Sequence, residues 1–192
     1  MDGEKLFGRT VMNPRVWHIA GSSSKVGKTL LMQSLLTVLP GVVRVVKHSH
    51  HPLEAEQTAS DTGRLKNAAA TVRIHPDGIV ARGDLPNLLA FFEWYGSGCD
   101  HLLVEGYKHL PIAKIMVTDL LQPKTHARVV IGQQPPHTAS DALWLPATLP
   151  LVPSTALTLA AALWLHWPTA SVDWDTWLKV WRLADQDGFD VP

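Results

Sequence analysis

The sequence predicts an α/β fold in which a mainly parallel central sheet is flanked by helices. Three observations support this prediction. Short apolar segments alternate with segments of helical pattern along the 192 residues, which is the usual order of elements in folds of this class. A loop rich in glycine and serine, Gly21–Thr29, lies between the first apolar segment and the first helical one. An acidic residue, Glu105, directly follows a later apolar segment.

The first elements are a strand, a helix and a second strand. They are expected at Val16–Ala20, Thr29–Leu39 and Val42–Lys47. Pro40 and Gly41 end the helix, because neither residue continues a helical pattern well. Asp61 is expected to begin a short helix through Ala70, because its carboxylate can accept the free amide hydrogens of the first turn.

A β-hairpin is predicted as an extension of the sheet. Thr71–Ile74 and Ile79–Arg82 flank the tetrapeptide His-Pro-Asp-Gly. Pro76 and Gly78 suit a tight turn between two strands. The two segments are therefore expected to pair with each other.

The second half of the chain predicts further strands and two helices. The strands are expected at His101–Val104, Ile112–Thr118, Arg128–Ile131 and Ala142–Leu145, the last two near the sheet edge. The helices are expected at Leu85–Tyr95 and Thr155–His166. The second helix is apolar nearly all round, so we expect other elements to cover it.

The tail after residue 168 is predicted as a C-terminal Trp-rich helical appendage over residues 169–192. Its apolar residues recur at the spacing of one helix face, and we call this set the Trp stripe: Trp174, Trp177, Leu178 and Trp181. The stripe could pack on the domain's own core, or it could form a partner or dimer surface, since tryptophan is enriched at binding hot spots. A membrane-surface helix is disfavoured, because the segment is short and its polar face is not basic.

Composition excludes several classes of protein. Basic and acidic side chains balance at 17 each, so no global field attracts nucleic acid or an anionic membrane. The single cysteine, Cys99, fits a reducing compartment. No apolar stretch reaches the roughly 18 residues of a spanning helix, and the start of the chain lacks the apolar segment of a signal peptide. We therefore expect a cytoplasmic protein with neither membrane nor nucleic-acid partners.

The glycine-rich loop has the chemistry of a phosphate site. It consists of Gly21, Ser22, Ser23, Ser24, Lys25, Val26, Gly27, Lys28 and Thr29. Phosphate oxygens need inward-pointing amide hydrogens, a cation and a hydroxyl group for the metal, and a glycine-rich turn between strand and helix supplies all three. Gly27 permits close backbone approach, Lys28 supplies the charge, and Thr29 can ligate magnesium. Residues 1–168 are thus predicted to form a P-loop nucleotide-binding domain.

The spacing within this loop departs from the common pattern. Five residues separate Gly21 from Gly27, whereas the common motif has four. Either Ser22 stands in the first glycine position, or the loop is the longer form that resembles those of dethiobiotin synthetase and the cobyrinic acid amidases.

Two further segments accompany the loop. Val46–His51 reads Val-Lys-His-Ser-His-His after the second strand, and Leu102–Lys108 places Glu105 just past an apolar strand. A P-loop protein keeps there the carboxylate that orients the metal or its water. Three further short motifs are Asp61-Thr62, Ala68–Ala70 and Ile112–Ile115. As an ordered set, these motifs resemble the molybdopterin-guanine dinucleotide biosynthesis adapter protein family of P-loop GTP-binding proteins, over roughly residues 16–166.

The resemblance implies a function. It implies a homodimer that binds GTP with Mg²⁺ and assists the molybdenum cofactor guanylyltransferase, which attaches GMP to molybdopterin. Guanine preference rests on the resemblance alone, because the sequence holds no Asn-Lys-x-Asp motif. Hydrolysis is expected to be slow or absent, because no arginine finger or water-positioning glutamine is recognisable.

The candidate site residues have distinct roles. The amides from Ser22 to Gly27 would wrap the phosphates, Lys28 would neutralise the β/γ charge, and Thr29 and Glu105 would serve the metal. Glu105 is also the candidate catalytic residue, through the metal or its waters. Three further nucleotide-binding candidates are Lys47, His48 and Asp61. Lys47 could instead be a surface charge, Asp61 only a helix cap, and Glu105 only a strand-end acid.

Two other functions stay open. The longer loop is compatible with an ATP-dependent enzyme of the dethiobiotin synthetase or cobyrinic amidase type. The histidines His48, His50 and His51 could face the nucleotide or a partner, lie in a solvated loop, or form a transition-metal site. The metal site would indicate a GTP-dependent metal chaperone.

Overall fold

The computed structural model describes residues 13–48, 70–75, 78–79, 88–118, 126–136 and 141–186. The strands are β1 Arg15–Gly21, β2 Val43–His48, β3 Ala70–His75, β4 Gly78–Ile79, β5 His101–Glu105, β6 Lys114–Val117, β7 Ala127–Gly132 and β8 Leu143–Pro146. The helices are α1 Lys28–Val38, α2 Leu88–Gly96, α3 Pro153–Leu165, α4 Trp167–Ala170 and α5 Trp174–Gln186. Of the helices in these ranges, none combines the length and hydropathy needed to cross a bilayer.

The described strands form one sheet in the order β4-β3-β2-β5-β1-β6-β7-β8. Neighbouring strands run parallel except for β3 and β4, which are antiparallel. The predicted α/β fold with a mainly parallel sheet is therefore confirmed, as is the antiparallel pair at its edge. Because β1, β2 and β5 are parallel neighbours, their carboxyl ends meet at one edge of the sheet.

Helices cover both faces of the sheet. On one face α1 and α3 pack against each other over side chains such as Trp17 and Leu103. On the other face α2 and α5 pack over side chains such as Val16 and Leu102. Successive strand residues point to opposite faces, so a strand buried on both sides reads as a continuous apolar run. This explains the unbroken apolar pattern of the sequence around β1 and β5.

The Trp stripe of the tail lies in the core. Trp177 and Trp181 are fully or almost fully buried, and both belong to the cluster that α2 and the sheet form. Backbone bonds of 2.8 Å join Val16 and Val172 in both directions, so the segment before α5 is tied to β1. Among the alternatives for the stripe, packing on the protein's own core is the one that the structure shows.

Two expectations need correction. The helix predicted to be covered on all sides, α3, has an exposed face: Leu157 is 49% and Leu165 is 79% exposed. Apolar composition alone overestimated its burial, because α1 and the sheet contact only one side of it. Ala70, expected to end a helix, begins β3. The rest of that predicted helix, residues 61–69, lies outside the described residues, as do 80–87.

Candidate functional site

The glycine-rich loop connects β1 to α1 at the carboxyl edge of the sheet. Gly27 adopts φ 101°, in the left-handed region that favours glycine, directly before α1. A Cβ atom at this position would also approach the Cβ of Leu151 to 2.7 Å. The amide of Ser22 donates to the Val117 carbonyl at 3.2 Å, and the amide of Leu151 donates to the Val26 carbonyl at 3.2 Å. The loop is thus fixed at both ends by neighbouring segments.

Lys28 begins α1 and turns back over the loop. Its ammonium donates to the Ser23 carbonyl at 2.6 Å. This contact places the positive charge inside the curve of the loop, beside backbone groups at the amino end of a helix. Such an end favours anions, because its first amide hydrogens have no partner within the helix.

Three side chains meet next to the loop. The hydroxyl of Thr29 donates to Glu105 Oε2 at 3.3 Å, and the ammonium of Lys47 lies 3.4 Å from the same hydroxyl oxygen. Lys47 Nζ is 3.6 Å from Glu105 Oε2. Lys47 and Glu105 are both buried. We call this set the Thr29–Lys47–Glu105 cluster; it combines a hydroxyl, a cation and a carboxylate within reach of the loop.

The sheet register explains why these residues meet. Lys47 of β2 and Glu105 of β5 are directly opposite each other in the parallel pair. Glu105 is also opposite Ile19 of β1, two residues before the loop begins. Residues far apart in the sequence therefore come together because three parallel strands end at the same level.

A left-handed turn follows Glu105. Gly106 has φ 113° and Tyr107 has φ 46°. The Tyr107 ring stacks on the His48 ring, with centroids 4.4 Å apart and an interplanar angle of 27°. A Cβ atom at Gly106 would lie 2.7 Å from the Cβ of His48, so glycine allows the turn to pass beside β2.

Buried polar groups hold this turn from below. His18 Nε2 lies 2.8 Å from the Gly106 carbonyl oxygen. Burial, with a smaller contribution from the nearby charge of Lys114, lowers the pKa of His18 to about 3, so the imidazole is neutral and donates to this carbonyl. Lys114 donates to the carbonyls of Lys108 and Leu110 at 2.9 and 2.7 Å. The turn after β5 is therefore fixed by two side chains from β1 and β6.

The structure brings most of the predicted residues together. Lys28 and Thr29 lie at the loop, Lys47 and Glu105 beside it, and His48 at the neighbouring strand end. The alternative of Lys47 as a surface charge does not hold, because the residue is only 9% exposed.

Part of the predicted site lies outside the described residues. Asp61, His50 and His51 are among these residues, and the histidine cluster predicted from the sequence therefore lies mostly outside the described part of the chain. Within the described ranges, no group of three or more histidine, cysteine or acidic side chains is arranged to hold a metal.

Sequence reasoning missed two residues that shape the site. Tyr107 lies in the Leu102–Lys108 motif, and the glycine before it is the available signal for a left-handed turn. His18 was hidden in an apolar strand, where a lone histidine gives no signal of its own. Both act on the backbone after Glu105 rather than on a ligand.

The donor set suits a triphosphate with magnesium. Backbone amides and a lysine ammonium are the groups that bind phosphate oxygens, and a threonine hydroxyl with a nearby carboxylate suits a hard cation. The loop, Thr29 and Glu105 therefore have the chemical groups that such a ligand needs, and they lie next to each other.

Comparison with known proteins identifies the family of this chain. The sequence model of the family described as "Molybdopterin guanine dinucleotide synthesis protein B" matches residues 16–134. A putative molybdopterin-guanine dinucleotide biosynthesis adapter protein of Methanocaldococcus jannaschii is 30% identical over 100 residues, which cover 47% of this chain and 42% of that protein. The molybdopterin-guanine dinucleotide biosynthesis adapter protein of Haemophilus influenzae is 31% identical over 100 residues, covering 47% of this chain and 56% of that protein.

The matches are partial in length. The chain spans about half the length of these curated relatives. The crystal structure of a molybdopterin-guanine biosynthesis protein B is similar over 79% of this chain and 99% of that one, with 19% identity and a TM-score of 0.45.

Proposed function

Because this chain belongs to the molybdopterin guanine dinucleotide synthesis protein B family, we propose that it binds GTP with Mg²⁺ and assists the attachment of GMP to molybdopterin. The observation that carries the proposal is the Thr29–Lys47–Glu105 cluster beside the loop, with contacts of 3.3 to 3.6 Å. A strand-end carboxylate beside a loop threonine is the arrangement that P-loop proteins use for nucleotide and metal.

The phosphates are assigned to the loop. The amides from Ser22 to Gly27 surround them, and the Lys28 ammonium lies near their negative charge. Lys28 contacts the Ser23 carbonyl at 2.6 Å, so its ammonium lies against the backbone of the loop. Thr29 and Glu105 are assigned to the metal, which when bound neutralises charge on the β- and γ-phosphates.

Lys47 and His48 are assigned to the rim of the same site. Lys47 places a buried positive charge next to Thr29 and Glu105, and His48 stacks on Tyr107 at the adjoining strand end. Asp61 is a further proposed nucleotide contact on sequence grounds. Slow or absent hydrolysis follows from the lack of a recognisable arginine finger or water-positioning glutamine in the sequence.

The partner and the assembly are part of the same proposal. The guanylyltransferase is the proposed partner, because an adapter in this synthesis would deliver or retain the guanine nucleotide for that enzyme. A homodimer is proposed through the edge strand β4, which pairs with β3 at one end of the described sheet; an open edge can be extended by another chain. The cytoplasm is the proposed location, since a sequence with one cysteine fits a reducing compartment.

One alternative keeps a specific observation in its favour. The five residues between Gly21 and Gly27 match the longer loop of ATP-dependent enzymes such as dethiobiotin synthetase. An enzyme of that type would prefer ATP and would turn over a second substrate. The adapter would prefer GTP and would turn over no second substrate.

Reconstitution tests the adapter role. Purified guanylyltransferase would be assayed for GMP transfer to molybdopterin at limiting GTP, with and without this protein. We expect the wild-type protein to raise the initial rate of GMP transfer. With Lys28→Ala the rate should equal that of the guanylyltransferase alone. A rate that does not respond to the wild-type protein at any GTP concentration contradicts the adapter role.

A further inference from the structure

The C-terminal helix reaches the candidate site although it lies outside the residues that match the family. The Trp181 ring meets the Tyr107 ring edge-on, with centroids 5.0 Å apart and an angle of 87°. Tyr107 stacks in turn on His48, at 4.4 Å. Three aromatic rings thus form a continuous line from α5 to the end of β2, one residue beyond Lys47.

Tyr107 depends on this packing for its conformation. Its φ of 46° lies in the left-handed region, which non-glycine residues seldom adopt and which costs free energy. Its side chain is buried, and its hydroxyl has no hydrogen-bond partner among the described residues. Ring contacts therefore hold the side chain, from Trp181 at 5.0 Å, Phe92 at 6.3 Å and His48 at 4.4 Å.

A shift of Tyr107 would be transmitted to the cluster by two short routes. Glu105 is only two residues before Tyr107, and its Oε2 accepts from Thr29 at 3.3 Å. His48 follows Lys47 directly, and its ring lies against Tyr107. Glu105 is thus two residues along the chain from Tyr107, and Lys47 is joined to Tyr107 through its neighbour His48 and one ring contact.

We propose that Trp181 is a positioning residue for the phosphate and metal site, acting through Tyr107 on Glu105 and His48. The inference rests on the proposed nucleotide function. It gives the Trp stripe a role besides burial: the tail helix sets the geometry in which the carboxylate meets the metal. The loop amides and Lys28 lie outside this line of rings, so they bind phosphate independently of it.

The same helix offers a matched control. Trp174 belongs to the Trp stripe and is 7% exposed, but its ring lies against Gly96 at the end of α2. Trp174→Phe and Trp181→Phe remove the same atoms from the same helix. Only the second substitution withdraws support from Tyr107.

The test uses the full chain and separates phosphate binding from metal binding. GTP affinity is measured without Mg²⁺, and the Mg²⁺ concentration for half-saturation is then measured at saturating GTP. For Trp181→Phe we expect the Mg²⁺ midpoint to rise about threefold to tenfold, with metal-free GTP affinity within about twofold of wild type. Trp174→Phe should leave the GTP affinity and the Mg²⁺ midpoint within about twofold of wild type, even if the substitution lowers the melting temperature.

A second measurement covers the case in which Trp181→Phe does not fold. With 5-fluorotryptophan incorporated site-specifically at position 181 or at position 174 of the otherwise wild-type chain, Mg²⁺–GTP should shift the ¹⁹F resonance of Trp181 and leave that of Trp174 in place, because coupling between two sites is reciprocal. The inference is overturned if folded Trp181→Phe has an unchanged Mg²⁺ midpoint. It is also overturned if the ¹⁹F shift of Trp181 does not change when Mg²⁺–GTP binds. Failure of the wild-type protein to bind GTP would instead overturn the proposed function beneath it.

Discussion

The ammonium of Lys47 lies 3.6 Å from the carboxylate of Glu105, and the sheet register places the two residues opposite each other. Both are buried, and the Lys47 ammonium also lies 3.4 Å from the Thr29 hydroxyl oxygen. A protein cation thus lies within 3.6 Å of both side chains assigned to the metal, which also contact each other at 3.3 Å. It balances the charge of the carboxylate, and a metal cation bound at Glu105 would compete with it.

Lys47→Met tests this competition. Removing one partner of a buried ion pair typically costs roughly 3–5 kcal/mol, so the free variant should melt lower than wild type. Mg²⁺ should then raise the melting temperature of the variant more than that of wild type, because the unpaired carboxylate gains a cation. Lys179→Met, on the exposed face of α5, is the control and should change neither value. An equal response to Mg²⁺ in both proteins would show that Lys47 and the metal do not share Glu105.

Lys28→Ala tests the phosphate assignment. The loop would lose the ammonium that now contacts the Ser23 carbonyl, and a charge-assisted contact is worth about 1.5–3 kcal/mol, or roughly tenfold to a hundredfold in affinity. Calorimetry should show this loss. Lys25→Ala is the matched control, because Lys25 is an exposed lysine of the same loop whose proposed contribution is its backbone amide. Equal losses in the two variants would mean that general charge, rather than Lys28, attracts the nucleotide.

Local sequence carried enough information for the loop and its helix. The apolar strand before Gly21 and the Gly-Lys-Thr tripeptide after it are contiguous, and the structure places β1 and α1 at either side as expected. The Trp stripe also followed from helical spacing, since periodicity reports which residues share a face. Its neighbours Phe92 and Tyr107 come from distant segments, which periodicity does not identify.

The missed features depend on tertiary contacts. The left-handed backbone at Tyr107 accompanies ring contacts with neighbours on other elements, and the sequence offers only the preceding Gly106 as a local signal for it. The exposure of Leu157 and Leu165 likewise depends on which side of α3 meets α1. The parallel register that joins Lys47 to Glu105 needed the strand order β2-β5-β1, which strand prediction alone does not provide.

Gly106→Ala tests the turn after β5. Alanine at φ 113° is strained, at about 1–3 kcal/mol, and its Cβ would meet His48 Cβ at 2.7 Å. Gly98 has φ 76° with nothing within 4 Å of an added Cβ, so Gly98→Ala supplies backbone strain without the collision. Urea denaturation should give a larger loss of unfolding free energy for Gly106→Ala. Similar losses would mean that the contact with His48 yields easily and does not fix the turn.

His18 predicts a specific pH dependence. Its folded pKa of about 3 lies below the ordinary value of 6.5, through burial first and the charge of Lys114 second. Below pH 6.5 the unfolded chain takes up a proton that the folded protein excludes until about pH 3. Stability therefore falls as the pH decreases through this range, by up to about 1.4 kcal/mol per unit.

Urea denaturation at several pH values measures the effect. The difference in unfolding free energy between wild type and His18→Gln should shrink as the pH falls from 7 towards 4, because only wild type loses this contribution. Thr158→Ala, at an exposed position without a titratable side chain, should show a constant difference. A constant difference for His18→Gln as well would mean that the folded protein accepts the proton at this position.

Equilibrium binding of GTP and ATP, each with and without Mg²⁺, tests the central claim most directly. Isothermal titration of the wild-type protein should show one GTP site per chain, tighter with Mg²⁺, weaker for ATP and strongly weakened by Lys28→Ala. Nickel or zinc should not bind the protein on its own and should leave the Mg²⁺–GTP titration unchanged, whereas a metal chaperone would have to bind one of them. No GTP binding, or binding that Lys28→Ala leaves unchanged, would contradict the assignment of the Gly21–Thr29 loop as a nucleotide site.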